Sequence, residues 1–204
     1  FGRPVILSTG MNDLSGIRPA VEILSAARVP FALMHCTSTY PTPHRHVRLG
    51  ALNDLAEAFP DAVLGLSDHS LGPYTCLAAV ALGARILEKH FTSDRSWPGP
   101  DVPISLDPAG LADLVAGARA VYEALGGTKE VLPEEAPTIA FAYASVVTIA
   151  EVSAGEAFSA ANLWVKRPGT GEIRAAEYDA LLGRRATRAL AAGMQLSWSD
   201  VEPE

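Results

Sequence analysis

Apolar positions along this chain follow two regimes, with the change at residue 127. Up to that point, four short unbroken apolar runs, at residues 4–8, 31–36, 62–67 and 84–90, alternate with stretches of helical periodicity. A strand with one wet face alternates apolar and polar residues, whereas unbroken runs suit strands covered on both faces of a parallel sheet. Residues 17–28 predict a helix with Ile17, Val21, Leu24 and Arg28 on one side. Residues 47–59 predict another, with Leu49, Leu52, Ala56 and Phe59 inward and Pro60 as its stop. Residues 73–82 are small and apolar, and Gly83 behind them suits a C-terminal cap. Asp107 then Pro108 reads as a cap followed by a first-turn proline. The stripe Leu111, Leu114, Val115, Ala118, Val121, Tyr122 and Leu125 continues that helix until Gly126 and Gly127 end it.

A strand-helix unit repeated in series implies an α/β fold with a parallel sheet and right-handed crossovers. Two architectures satisfy it, an open doubly wound sheet or half of a (β/α)8 TIM barrel. A whole barrel takes about 250 residues, and residues 1–127 supply about half of that. The chain also opens almost directly on a core strand, so material ahead of Phe1 is expected, and this favours the C-terminal half of a barrel. Residues 128–141, with Lys129, Glu130, Pro133, Glu134, Glu135 and Pro137, read as an exposed linker. Residues 142–204 alternate short β-prone runs, at 145–149 and 162–167, with glycine turns, and predict a small, mostly β domain.

The 204 residues carry a formal charge of -7 and are 49% hydrophobic, enough for a real core and the wrong sign for a duplex nucleic-acid binder. No apolar run is long enough to span a bilayer, and residue 1 does not begin a signal peptide. Cys36 and Cys76 lack CxxC spacing and read as buried reduced thiols, which fits a cytoplasmic protein.

Candidate chemistry gathers at strand ends. Ser67, Asp68 and His69 close the third run, and Glu88, Lys89 and His90 close the fourth. Barrel active sites are built at those ends. Neighbouring strands lie about 4.8 Å apart, so His69 and His90 have the reach to share one divalent metal, with Mn, Fe and Zn suited to imidazole and oxygen donors. On spacing alone, separate core or surface histidines explain them more simply. Alternation puts Glu88 on the face of His90 and Ser67 on the face of His69, while Lys89 points outward and suits a structural ion pair. Asp101 ends a rigid Pro-Gly-Pro loop after the fourth run, where it either meets sugar hydroxyls or caps a turn. Residues 35–43 form a Ser/Thr/Pro exit loop whose hydroxyls and amides suit phosphate, although its composition is common. Trp164 and Trp198 read as core or interface aromatics, and Arg184 and Arg185 as a solvated pair.

In series, the segments Pro4-Val5-Ile6-Leu7-Ser8-Thr9-Gly10-Met11, His35-Cys36-Thr37-Ser38-Thr39-Tyr40-Pro41-Thr42-Pro43 and Gly65-Leu66-Ser67-Asp68-His69-Ser70 resemble the N-acetylneuraminate (sialic acid) synthases and their legionaminic and pseudaminic relatives. The likeness continues through Ile86-Leu87-Glu88-Lys89-His90-Phe91-Thr92, Pro98-Gly99-Pro100-Asp101 and Asn162-Leu163-Trp164-Val165-Lys166-Arg167-Pro168-Gly169. The resemblance implies barrel strands five to eight followed by an antifreeze-like (SAF) domain. It also implies a cytoplasmic transferase joining phosphoenolpyruvate to N-acetylmannosamine.

By the same resemblance, His69 and His90 are metal ligands for a divalent ion, manganese in that family; Glu88, on the face of His90 by alternation, is taken with them as the catalytic set. Ser38 and Ser67 become phosphate contacts, and Tyr40 and Asp101 line the sugar pocket. Arg167 becomes the residue that the tail domain extends into a partner's barrel in a homodimer. Ser38 stands where the family often has asparagine. The lysines and carboxylate of the family's first four strands are not in this sequence, so the isolated chain is expected to be inactive. Alternatives are a legionaminic or pseudaminic acid synthase, or an inactive sugar-binding fragment. An unrelated Schiff-base aldolase needs an inward lysine, and Lys89 faces the other way.

Overall fold

Strands β1 (Val5–Ser8), β2 (Phe31–Cys36), β3 (Val63–Asp68) and β4 (Ile86–Lys89) lie side by side in chain order, all parallel. The computed structural model describes residues 3–203. A doubly wound sheet reverses its strand order at a switch point. This sheet never reverses, and its helices cover one face only, which makes it the curled half-barrel.

The packing follows from alternation within each strand. Val5, Leu7, Phe31 and Leu33 meet Ile17, Val21, Leu55 and Phe59 in one core cluster. Leu66 and Leu87 meet Leu52, Cys76, Ala79 and Leu114 in a second. These are the outward positions. The opposite face carries Ile6, Ser8, Met34, Cys36, Gly65, Ser67, Ile86 and Glu88 in register. Gly65 is required there, because a Cβ would overlap the Met34 thioether and stand 2.7 Å from the Ile86 carbonyl oxygen.

Helix α1 (Leu14–Ala26) starts earlier than periodicity predicts, because the Asp13 side chain accepts the Gly16 N–H at 2.8 Å and caps it. The helix expected over 47–59 is two pieces, α2 (His44–Val47) and α3 (Ala51–Ala58). Arg48 between them takes a left-handed conformation, φ 52°, which ends the helical ladder. Both pieces dip into the same cores through Val47, Leu52 and Leu55, so hydrophobic spacing runs across the break. The break also shifts the phase, burying Leu55 and exposing Ala56. Helix α4 (Tyr74–Ala81) is followed by Gly83 at φ 97°, and α5 (Pro108–Ala124) begins behind Asp107, whose side chain accepts from Gly110 N–H at 2.8 Å. Of the expected α5 stripe only Leu114 is buried, and Leu111, Val115, Tyr122 and Leu125 are exposed.

The chain divides into two units between Gly127 and Thr128. In the second, the stretch read as an exposed linker holds helix α6 (Ala136–Ala142), exposed along most of its length. Pro137 is tolerated because it sits in the first turn, where its missing N–H is not needed. Strands β5 (Ser145–Thr148) and β6 (Leu163–Lys166) pair antiparallel, and single bridges and the short helix α7 (Tyr178–Leu181) complete a separate small β unit. Its core is Val146, Val152, Phe158, Leu163, Ile173, Leu181, Leu190, Leu196 and Val201. Trp164 and Trp198 are not in it. Both are substantially exposed, Trp164 edge-on to Tyr178 and Trp198 beneath the Arg184 guanidinium. Cys36 and Cys76 are free and buried.

Candidate active site

His69 follows β3 and His90 follows β4, one residue past the last register pair, Asp68 with Lys89. Because that pair points outward, the next residue on each strand points to the concave face. The two imidazole centroids are 5.2 Å apart. The Tyr40 ring, from the β2 exit loop, stands 4.2 Å from His69 and 5.9 Å from His90. Asp101 brings a carboxylate oxygen to 3.7 Å from Nδ1 of His90. One step lower on the same face, the Ser67 hydroxyl donates to Glu88 Oε1 at 2.7 Å.

The buried His69 ring is oriented by a backbone group. Its Nδ1 lies 3.0 Å from the Thr37 carbonyl oxygen. A carbonyl only accepts, so Nδ1 is the donor of this bond and Nε2 is turned toward the site. Two imidazoles on one first-row ion, with metal–nitrogen bonds of about 2.1 Å and an angle near 100°, place their centroids about 5 Å apart. The observed separation and the free Nε2 of His69 therefore fit a shared divalent cation. Among the described residues, no group of three or more His, Cys, Asp or Glu side chains is arranged to hold a metal, so the two histidines have no third such ligand beside them.

Behind the histidines, Lys89 Nζ is 2.7 Å from Asp68 Oδ2, with both side chains at most 3% exposed. Asp68 also accepts from Thr75 Oγ1 at 2.7 Å, from Ser70 Oγ at 3.0 Å and from Ser70 N–H at 2.9 Å, and Lys89 donates to the Ser70 carbonyl. Burial by itself raises the Asp68 pKa, but the bonds from Lys89, Thr75 and Ser70 and the Lys89 charge outweigh it and hold the carboxyl below its usual range.

The structure thus brings His69, His90, Tyr40, Asp101, Ser67 and Glu88 to one end of the sheet. Ser38 is half-buried nearby, its hydroxyl 3.8 Å from Cys36 Sγ and filling the space where a Cβ on Gly10 would stand. Arg167 lies in the other unit, exposed just after β6. The Thr37 carbonyl and Asp68 are the groups that residue-by-residue reading misses. A backbone oxygen leaves no trace in sequence, but Asp68 did leave one, since it is the outward neighbour of His69 beside the outward Lys89.

Comparison with known proteins agrees with this architecture. Residues 1–130 match the NeuB family and residues 143–202 match the SAF domain. An N,N'-diacetyllegionaminic acid synthase of Campylobacter jejuni is 42% identical over 192 residues, covering 92% of this chain and 57% of that protein. The mouse N-acetylneuraminate-9-phosphate synthase is 37% identical over 166 residues, covering 81% of this chain and 46% of that protein. A crystal structure of an N-acetylneuraminic acid (sialic acid) synthetase from Leptospira borgpetersenii in complex with citrate superposes with a TM-score of 0.62 at 40% identity, over 68% of this chain and 48% of that one. The chain spans about half the length of these relatives. A half-barrel with this strand-end cluster, matched to one family from residue 1 to 130, places the chain in the NeuB family of sugar-acid synthases.

Proposed function

We propose that this chain supplies strands five to eight, with their site, of a (β/α)8 barrel that condenses phosphoenolpyruvate with an N-acylated amino sugar to give a nonulosonic acid and phosphate. The observation that carries the reading is the convergence of His69, His90 and Tyr40 at the ends of adjacent parallel strands. A divalent metal, Mn2+ in this reading, bound by His69 and His90 supplies Lewis-acid polarisation of the sugar aldehyde.

The chain's own residues do the remaining work. Thr37 fixes the His69 ring so that Nε2 faces the site. Asp101, half-exposed beside His90, accepts hydroxyls of the open-chain sugar, and the Tyr40 ring walls the pocket. Ser67 and Ser38 offer hydroxyl donors to the phosphate group, whose departure follows attack of C3 on the aldehyde and addition of water at C2. Glu88, held by Ser67, is placed to take or return a proton near those carbons. Arg167 reaches the amino sugar of a partner subunit in a homodimer, and the enzyme works in the cytoplasm. The exposed edge of the concave face at Ile6 and Glu88 and the exposed flank of α5 are the surfaces that the other half of the barrel covers, and without it the chain is catalytically inactive.

Phosphate release tests this reading in a protein that contains this chain with the barrel complete, supplied with Mn2+, phosphoenolpyruvate and N-acetylmannosamine. His69→Ala should remove at least 99% of turnover, and activity near that of the unaltered protein overturns the metal role. The identity to legionaminic acid synthases, 42% and 38% over 192 and 205 residues, is level with the 40% to a human N-acetylneuraminate-9-phosphate synthase, which leaves a legionaminic-type sugar as a second substrate assignment. A higher kcat/KM for a 2,4-diacetamido hexose than for N-acetylmannosamine selects it.

A further inference from the structure

Asp68 and Lys89 occupy the last rung of the β3–β4 ladder, and the residue after each is one of the two histidines. On the Asp68 side, the chain is held immediately before and after His69. Asp68 Oδ1 accepts the Ser70 N–H at 2.9 Å, Asp68 Oδ2 accepts the Ser70 hydroxyl at 3.0 Å, and Lys89 Nζ donates to the Ser70 carbonyl. Thr75 at the start of α4 anchors the same carboxylate at 2.7 Å. Ser70 is fully buried, so water does not compete for any of these bonds. The residue before His69 and the peptide unit after it are thus tied to a cross-strand ion pair whose lysine is the residue before His90.

From this geometry we infer that the buried Asp68–Lys89 pair is a positioning device for the strand-end site: it sets the exit angle of His69 and its distance from His90. Asp68 and Lys89 are positioning residues, since neither faces the concave side. This rests on the reading of the histidine pair as a metal site only for its second measurement below.

Single substitutions leave a buried charge without its partner and risk unfolding, so the informative variant is the double replacement Asp68→Leu with Lys89→Met. It keeps apolar bulk behind the sheet and deletes every bond to Ser70 named above. The first measurement is metal-free: ring-proton NOEs from His69 to Tyr40 and His90, recorded on the full chain. The second is Co2+ affinity from its visible absorption, with His69→Ala as the reference.

The expected result is a double variant with native amide dispersion and an undiminished melting temperature, without the inter-ring NOEs. Its Co2+ binding should be 10- to 100-fold weaker, while Lys89→Arg retains both signals. Inter-ring NOEs of native intensity in the double variant overturn the inference. If the unaltered chain and His69→Ala bind Co2+ equally, the metal reading fails and the NOEs alone decide the positioning role. A double variant that does not fold is replaced by Asp68→Asn with Lys89→Met, which removes the ion pair and the lysine's bond to the Ser70 carbonyl without leaving a buried charge unpartnered. Loss of the His69–Tyr40 NOE there supports the device, and its retention overturns it.

Discussion

Glu88 accepts the Ser67 hydroxyl across the β3–β4 register at 2.7 Å, directly below the two histidines. Its other oxygen is left to face the concave side. With the barrel complete, Glu88→Gln should lower kcat by about 10²–10⁴-fold, the usual contribution of a positioned proton-transfer group, with a smaller change in the sugar KM. Ser67→Ala should instead act mainly on the phosphoenolpyruvate KM. Steady-state phosphate release separates the two, and equal effects on kcat and KM from both substitutions contradict the assignment.

The ion pair behind the site makes a stability prediction of its own. Lys89→Met strands a buried carboxylate and should cost about 3–5 kcal/mol, whereas the apolar double replacement should be close to neutral. Urea unfolding of the full chain measures both. Because the folded Asp68 carboxyl titrates below its unfolded value of about 3.9, it stabilises the native state above that pH. That stability disappears as pH falls through the lower, folded value. Asp68→Asn should therefore flatten the acid limb of the stability profile.

Cys76 is fully buried against the same carboxylate. Burial first, and the Asp68 charge second, push its thiol up to about 12. The thiolate is the reactive form, so iodoacetamide at pH 8 should leave residue 76 unmodified in the native chain and alkylate it once urea unfolds the chain. Peptide mass spectrometry reads the difference, and native labelling within minutes contradicts it.

Gly65→Ala tests the concave face without touching any proposed ligand. The Met34 thioether can shift, but the Ile86 carbonyl belongs to β4 and cannot do so without moving the strand. The expected loss is about 1–3 kcal/mol in urea, as for other overpacked sites. A neutral result means that β3 and β4 separate more easily than their register suggests.

Much of this fold is readable from spacing. Unbroken apolar runs give the four strands to within a residue or two, and period-two alternation puts Ser67 with His69 and Glu88 with His90. The breaks are not readable, because they depend on backbone conformation. Arg48 turns left-handed where no glycine marks it, so two helices share a single hydrophobic pattern. Pro137 and the charges before it resemble a linker, yet a first-turn proline starts a helix as readily as it interrupts one. Exposure is the other blind spot. Trp164, Trp198 and most of the α5 stripe are apolar but not buried, since hydrophobicity reports what can be covered and not whether it is. In the site, side chains are legible and the Thr37 carbonyl that orients His69 is not, because every residue carries the same backbone oxygen.

The unreversed order β1-β2-β3-β4 has a kinetic consequence. Each strand docks only on the one made just before it, so the sheet can grow in the direction of synthesis, as domains folding on the ribosome do. His90 is made with the last strand of this sheet, and a nascent chain halted before residue 86 would carry His69 without His90 beside it. Pairing of the two strand-end histidines then waits for translation of β4.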